Sequence, residues 1–233
     1  MTDDKRPVLR AEQVWRTYRQ GALEVHALRD LSVSIHAGDF AVLAGPSGSG
    51  KTTLLNLFGA LDVPTQGQVW VDGEDLSRLT RRDRADLRRD RLGFVFQSYN
   101  LVPVLTAFEN AELILLLQGV PQGERARRVD ALLERVGLGG LGGRYPSELS
   151  GGQQQRVAVA RALAAKPALV LADEPTANLD SATGTALIDM MRSLNADLGT
   201  TFVFSSHDQK VIERARRLIL LKDGAVAQDT TSG

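Results

Sequence analysis

The segment Gly45-Pro46-Ser47-Gly48-Ser49-Gly50-Lys51-Thr52 constrains the fold more than any other feature of the sequence. It follows the apolar run Phe40–Ala44 and precedes a helical pattern from about Gly50 to Leu61, so it matches G-x-x-x-x-G-K-S/T in the strand–loop–helix context that this pattern requires. Glycines let the backbone wrap closely around a phosphate chain, and free amides at a helix N-terminus favour its negative charge. The segment, together with Thr53, therefore predicts a nucleotide triphosphate site, in which Lys51 reaches the β- and γ-phosphates and the Thr52 hydroxyl binds Mg²⁺.

Composition narrows the class of protein. The chain has 233 residues, 43% of them apolar, with 28 basic and 28 acidic residues and no cysteine. This length and apolar content predict one or two domains with a sizeable core. A neutral charge argues against a nucleic-acid partner, which usually requires a basic surface. The lack of cysteine excludes disulfides and thiolate sites and fits a reducing compartment. No apolar run reaches the about 20 residues of a spanning helix, so we expect no signal peptide and no direct insertion into a membrane.

Strand and helix patterns alternate along most of the chain, which predicts an α/β fold with a mostly parallel sheet covered on both faces. A central helical stretch interrupts the alternation, so we expect a core of residues 1–97 and 167–233 and a helical insert at about 98–166. The strands are expected at Val8–Tyr18, Val25–Ile35, Phe40–Ala44, Gln68–Val71, Leu92–Phe96, Leu169–Ala172, Thr201–Phe204 and Leu218–Leu221. Helices are expected at Arg81–Arg91, a charged and solvated stretch, and in the insert at Ala107–Gln118, Gly123–Val136 and Ser150–Ala165.

Two adjacent carboxylates, Asp173 and Glu174, follow the predicted strand Leu169–Ala172. Ligands bind at the carboxyl ends of parallel strands, so both side chains should emerge beside the phosphate loop. Asp173 can hold Mg²⁺ directly or through water, and Glu174 can polarise the water that attacks the γ-phosphate. An acidic junction that only caps the next helix is the alternative. The loop and the carboxylates together indicate a nucleotide triphosphatase, but a nucleotide kinase would share them.

A second glycine-containing motif, Leu149-Ser150-Gly151-Gly152-Gln153, begins a predicted helix with Ser150 at the N-cap. Its free amides form a second helix-terminus anion site without a lysine. Here the chain resembles the ATP-binding subunits of ABC transporters, in which this motif is the family signature. The resemblance extends over residues 8–229 as one domain. It implies a P-loop NTPase core, an N-terminal antiparallel β subdomain, an inserted α-helical subdomain and an ATPase activity. It also implies a head-to-tail homodimer, in which Ser150, Gly151, Gly152 and Gln153 bind the ATP held by the second subunit.

Other motifs match the family in order and spacing. Gln97 matches the glutamine that contacts Mg²⁺ and links the core to the insert, and Asp180 is the acidic member of the loop that crosses the dimer interface. His207 matches the histidine that contacts the γ-phosphate and supports the attacking water. Tyr18 matches the aromatic residue that stacks on adenine. The resemblance thus implies that Glu174, His207 and Lys51 are catalytic, and that Thr52, Gln97 and Asp173 hold Mg²⁺.

Two stretches, Phe96–Pro103 with the following Glu109-Asn110 and Ala172–Asp180, resemble subunits of the macrolide-export and lipoprotein-releasing branch. The resemblance implies an integral membrane permease as partner and a peripheral location on the cytoplasmic face of the plasma (inner) membrane. We expect the permease to dock near Ser98–Asn110, where the apolar residues Tyr99, Leu101, Val102 and Leu105 could instead simply pack the insert. One departure from the branch is Ser205-Ser206 before His207, where Ala or Val followed by Thr is more usual.

Two other functions compete with a transporter subunit. A related ATPase could operate a membrane regulator, as in the branch resembling cell-division ATPases, and the sequence does not separate this alternative. A soluble ABC protein of DNA repair or translation fits less well. The repair type has a long inserted coiled coil, and the translation type usually has two such domains in tandem. The resemblance implies that specificity for the transported substrate lies in the permease.

Overall fold

A six-stranded sheet lies at the centre of the protein, whose computed structural model describes residues 7–21 and 23–231. All neighbouring strands are parallel except the antiparallel pair at the edge that contains the last strand. Every residue of the two central strands is buried, which explains why they appear in the sequence as continuous apolar runs. The spatial order is β10 (Ala225–Thr231), β9 (Arg217–Lys222), β3 (Phe40–Ala44), β8 (Thr201–Ser205), β7 (Leu169–Asp173) and β6 (Leu92–Val95).

Successive residues of this sheet point into two different cores. Phe40 and Val42 of β3 belong to one core and Ala41 and Leu43 to the other, as the two-residue period of a strand requires. Helices α5 (Gly151–Ala164) and α6 (Ser181–Leu198) contribute to the first core. Helix α1 (Lys51–Phe58) and a second sheet contribute to the other. The prediction of a mostly parallel sheet covered on both faces is confirmed.

The second sheet is four-stranded and antiparallel, with the order β2 (Leu23–His36), β1 (Pro7–Gln20), β4 (Gln66–Val71) and β5 (Glu74–Asp75). It confirms the antiparallel β subdomain that the resemblance implied. The expected core also includes residues 1–6, 22 and 232–233, which lie outside the described residues.

The predicted central helices are α3 (Ala107–Leu117), α4 (Gln122–Arg135) and α5, with a 3₁₀ turn at Pro146–Glu148 before the last of them. They pack on one another, but α5 also packs against β6 and α6, so one apolar core runs through the helices and the parallel sheet. The limits of the insert at 98 and 166 stay a prediction. Among the described helices, none is long and apolar enough to span a bilayer.

Local capping accounts for where several helices begin. Helix α2 (Arg81–Arg91) begins after a capping box of Thr80 and Asp83, and α3 after one of Thr106 and Glu109. As predicted, α2 is a charged surface helix, with Leu87 as its buried residue. The sequence patterns did not predict β5 or β10, and the helical stretch expected between Thr201–Phe204 and Leu218–Leu221 contains the short helix α7 (Gln209–Ile212). Most residues of β10 are exposed, so this edge strand carries no apolar period that could reveal it.

Candidate nucleotide-binding site

The phosphate loop joins β3 to α1, and close backbone contacts explain its glycines. A Cβ atom at Gly45, where φ is +146°, would lie 2.2 Å from the carbonyl oxygen of Leu221. At Gly50, where φ is +101°, it would lie 2.7 Å from the carbonyl oxygen of Ala27. Both contacts involve backbone atoms that a side chain cannot displace cheaply. The loop is therefore held between β2 and β9 and can be built only from glycine at these two positions.

Gly45→Ala is expected to lower the free energy of unfolding by about 3 kcal/mol or more, since backbone strain adds to a steric clash. Gly48→Ala is the matched control: its φ is +79°, but a Cβ there meets no atom within 4 Å. The control should lose only about 1 kcal/mol, the strain of a positive φ alone. Urea unfolding of both variants measures the difference. Equal losses would contradict the contact between the loop and β9.

Lys51, the first residue of α1, is 9% exposed and lies folded over its own loop. Its Nζ atom donates hydrogen bonds to the carbonyl oxygens of Gly45 at 2.8 Å and Pro46 at 3.1 Å. Helix α1 has no side-chain cap, because Gly50 occupies the N-cap position. The buried Ser49 hydroxyl has no hydrogen-bond partner among the described residues. Unused donors around a positive charge suit a polyphosphate, so the residues present fit the predicted ligand.

Asp173 and Glu174 lie at the carboxyl end of β7, on the same edge of the sheet as the phosphate loop, as predicted. Glu174 adopts a φ of +46°, an unusual conformation for a residue other than glycine. Its amide donates to the carbonyl oxygen of Ser205 on β8 at 3.1 Å. Asp173 accepts a hydrogen bond from the Ser205 hydroxyl. Strained backbone of this kind is concentrated at functional sites.

His207 lies against Glu174. The Nδ1 atom of the histidine is 2.9 Å from Oε1 of the carboxylate. The Glu174 side chain is 19% exposed, whereas that of His207 is 73% exposed and so remains accessible to a ligand. The two predicted catalytic side chains are therefore brought together, although they are 33 residues apart in the chain. This carboxylate can orient the imidazole and still bind a water through its second oxygen.

The signature residues begin α5 as predicted, with Ser150 at the N-cap. Its hydroxyl accepts from the amide of Gln153 at 3.3 Å, and the Gln153 side chain accepts from the Ser150 amide at 2.9 Å. Side chains crowd both glycines, because a Cβ at Gly151 or Gly152 would lie 2.7 Å from Tyr99 Oη or 2.5 Å from Thr183 Cγ2. These neighbours come from the loop after β6 and from α6. The contacts of the signature motif are thus with segments other than the phosphate loop.

The remaining predicted residues lie on three other segments. Gln97 is exposed, and its carbonyl oxygen accepts from Asn178 Nδ2 at 3.0 Å. Asp180 caps α6, and hydrogen bonds from Thr183 lower the pKa of its carboxyl. Tyr18 is 38% exposed and donates its hydroxyl to Asp62 at 2.9 Å. The Arg16 guanidinium lies over the Tyr18 ring, with its Cζ atom 4.5 Å from the ring centroid.

Two polar residues at this end of the molecule were missed as site residues. Gln155 on α5 is fully buried, and its Nε2 donates to the carbonyl oxygens of Phe96 at 3.3 Å and Pro175 at 2.7 Å. It thereby links the signature helix to the segments that carry Gln97 and Glu174. The available signal in the sequence was its spacing, since Gln155 lies three residues before Ala158, which is buried in the same helix. Ser205, the other, appeared in the sequence only as a departure from a family pattern.

No group of three His, Cys, Asp or Glu side chains within 7–21 and 23–231 could by itself hold a metal ion. This fits Mg²⁺, which commonly binds one or two protein oxygens together with substrate phosphates and water. Hydroxyl, amide and carboxylate oxygens of Thr52, Gln97 and Asp173 are ligands of the required kind. Thr52 and Gln97 are exposed and Asp173 is half-buried.

Comparison with known proteins decides the family. The model of the ABC transporter family matches residues 28–177, more than half of the chain. The chain belongs to the ABC transporter family. It is an ATPase subunit of this family, which confirms the activity predicted from the two carboxylates and the signature motif.

The chain is also similar to individual proteins and to a solved structure of this family. An uncharacterized ABC transporter ATP-binding protein of Thermotoga maritima is 47% identical over 94% of this chain and 93% of its own length. The macrolide export ATP-binding/permease protein MacB of Brucella melitensis is 46% identical over 97% of this chain. This chain spans only 35% of that protein. The dimeric ATP-binding cassette MJ0796, in a post-hydrolysis state bound to ADP and Pi, superposes with a TM-score of 0.87 at 41% identity, covering 96% of this chain and 98% of the other.

Proposed function

We propose that two copies of this ABC ATPase bind two ATP molecules head to tail and drive a membrane permease of the export or lipoprotein-releasing type. The observation that carries the dimer is the position of the signature motif. The neighbours of Gly151 and Gly152 are Tyr99, Leu179 and Thr183, all outside the phosphate loop. A second subunit can supply a phosphate loop to this helix terminus. The dimeric state of the similar cassette MJ0796 supports the same arrangement.

Each residue has a role in this proposal. The phosphate-loop amides and Lys51 bind the β- and γ-phosphates, and Tyr18 stacks on adenine. Thr52, Gln97 and Asp173 would hold Mg²⁺, which would supply positive charge to stabilise the phosphates. Glu174 accepts the proton of the attacking water. His207, oriented by Glu174, donates a hydrogen bond to the γ-phosphate.

The signature motif acts on the ATP of the second subunit. The γ-phosphate of that ATP is bound by Ser150 and by the amides of Gly151 and Gly152. Gln153 holds Ser150 in place, and Asp180 lies at the interface.

The dimer predicts that ATP hydrolysis depends on protein concentration. The specific ATPase rate should fall as the protein is diluted below the dissociation constant of the dimer, since a lone subunit holds only half of each site. An unchanged rate at every dilution would contradict the proposal.

A mixing experiment tests the head-to-tail order. Lys51→Ala and Ser150→Phe should each be inactive alone, but an equal mixture should recover activity, because half of the dimers then contain one intact composite site.

An apolar cleft beside the insert supports docking of a permease. Its volume is about 360 Å³, and its walls come from α2, β6, α3 and α5, with Arg88, Arg89 and Arg161 among the lining residues. Of the segment Ser98–Asn110, only Asn100 lines it. The side chain of the buried Asn110 bonds the backbone of Val102, Leu105 and Thr106, which holds this segment in place. A short amphipathic helix fits such a cleft. The apolar lining residues are Leu61, Leu92, Phe94, Phe96, Leu113, Ile114, Leu117 and Ala162.

Docking would place the protein peripherally on the cytoplasmic face of the plasma (inner) membrane. The 46% identity to MacB supports the export type. The alternative, an ATPase that operates a non-transporting membrane regulator in cell division, would use the same cleft and the same dimer. Purification of the tagged protein from solubilised membranes separates the two, since the protein that accompanies it is a permease in one case and a regulator in the other.

A further inference from the structure

Ser205, the last residue of β8, places a hydroxyl group between the two carboxylate residues of the site. The residue is fully buried, at 0% exposure. Its Oγ atom donates to Oδ1 of Asp173 and accepts from the amide of Glu174 at 3.2 Å. A serine hydroxyl has one donor and two acceptor positions, so both bonds can exist at once. One side chain of β8 thus holds Asp173, the last residue of β7, and Glu174, which follows it.

The packing around Ser205 makes a hydroxyl at this position notable. The preceding residues of β8, Phe202, Val203 and Phe204, are all fully buried and apolar. A hydroxyl in such surroundings is costly unless it is hydrogen-bonded, and an apolar side chain would fill the same space. The two hydrogen bonds to Asp173 and Glu174 satisfy this buried hydroxyl group.

The two bonds also set the geometry of the carboxylates. The Glu174 amide is shared between Ser205 Oγ and the Ser205 carbonyl oxygen, and these contacts hold the backbone at its strained φ of +46°. That conformation directs the Glu174 side chain to His207. The bond to Oδ1 of Asp173 leaves Oδ2 of the same carboxylate for a metal ion or its bound water.

We propose that Ser205 is a positioning residue for ATP hydrolysis, which orients the Asp173 carboxylate for Mg²⁺ and holds Glu174 in its bent conformation. Ser205 acts through these two residues. The inference rests on the roles that the proposed function assigns to Asp173 and Glu174.

Ser205→Ala removes both hydrogen bonds and almost no volume. It is expected to lower kcat about tenfold, as expected when a hydrogen bond to a charged group is lost. The Mg²⁺ concentration for half-maximal activity should rise several-fold, because the carboxylate is no longer oriented. The KM for ATP should change less than about twofold, since Lys51 and the loop amides bind the phosphates. Ser205→Thr keeps the hydroxyl and should recover most of the lost rate.

Ser206→Ala is the matched control. Ser206 is equally buried, but its hydroxyl accepts from the amide of Asp208 at 3.1 Å, and among the described residues it makes no hydrogen bond to either carboxylate. This variant should keep the wild-type Mg²⁺ midpoint even if its melting temperature falls. The proposal is overturned if Ser205→Ala keeps the wild-type kcat and Mg²⁺ midpoint. It is also overturned if both alanine variants lose activity only in proportion to melting temperature, because the hydroxyl would then be merely structural.

The outcomes distinguish a failure of this proposal from a failure of the proposed function on which it rests. If Asp173→Asn leaves the Mg²⁺ midpoint of the wild type unchanged, the role of Asp173 itself is wrong, whatever Ser205 does. If Asp173→Asn shifts the midpoint and Ser205→Ala does not, only the role of Ser205 fails. Should Ser205→Thr fail to fold, as judged by circular dichroism, the comparison of the two alanine variants still decides.

Discussion

Glu174→Gln is expected to lower kcat for ATP at least about 100-fold, because an amide cannot accept the proton of the attacking water and general bases typically contribute that much or more. The substitution preserves the size of the side chain and its contact with His207, which is 2.9 Å away. ATP binding should remain within about twofold of the wild type, since Lys51 and the loop amides are unaltered. Phosphate release measures the first quantity, and equilibrium titration with a fluorescent ATP analogue measures the second.

A further consequence of Glu174→Gln separates a catalytic role from a structural one. Because ATP binds but is not consumed, the variant should accumulate as a dimer in the presence of ATP, which light scattering after size-exclusion chromatography detects. Glu74→Gln, at an exposed carboxylate of β5, should keep the wild-type rate and serves as the control. Wild-type turnover in Glu174→Gln would refute the assigned base.

Lys51→Ala is expected to weaken ATP binding at least about 100-fold, which corresponds to about 3 kcal/mol for the charge-assisted hydrogen bonds to two phosphates. In the structure the ammonium group already lies over the loop, bonded to the carbonyl oxygens of Gly45 and Pro46. A phosphate can replace these neutral acceptors by charged ones without moving the lysine far. Isothermal titration calorimetry with ATP measures the loss.

The control for Lys51→Ala is Lys166→Ala. Lys166 is also a lysine close to the parallel sheet, but it lies shortly before β7, at the opposite end of that strand from Asp173. It should bind ATP as the wild type does. Affinity retained in Lys51→Ala would contradict the phosphate site. Affinity lost equally in both variants would point instead to a general effect of removing positive charge.

The local elements of the fold could be predicted because their signals lie within a few residues of one another. The buried run Phe40–Ala44 is β3, and Ser150 with Gln153 begins α5 as a capping pair. The signal was weak where a strand is exposed. Among the described strands, β10 pairs only with β9, at the edge of the sheet, and most of its residues are exposed, so it shows no alternation of apolar and polar residues. Its existence depends on a partner strand and not on its own composition.

In the candidate site too, the motifs that are continuous in the chain could be predicted, whereas the contacts between distant segments could not. The phosphate loop and the pair Asp173 and Glu174 could be predicted, because each motif is continuous and the ends of parallel strands meet at one edge. The proposed docking cleft was expected near Ser98–Asn110, but α2, β6, α3 and α5 supply most of its lining, and of that segment Asn100 alone lines it. The surroundings of that loop depend on Asn110, whose side chain binds the loop backbone from the next helix.

The sequence by itself determined the phosphate loop, the signature helix and the order of strands and helices, since these depend on residues that are neighbours in the chain. Only the tertiary structure decided which side chains meet. Ser205 reaches Asp173 across 32 residues, and His207 reaches Glu174 across 33, because β8 lies beside β7 in the sheet. That pairing arises from packing the whole sheet between two cores, and no local pattern specifies which hydroxyl or imidazole will end beside which carboxylate.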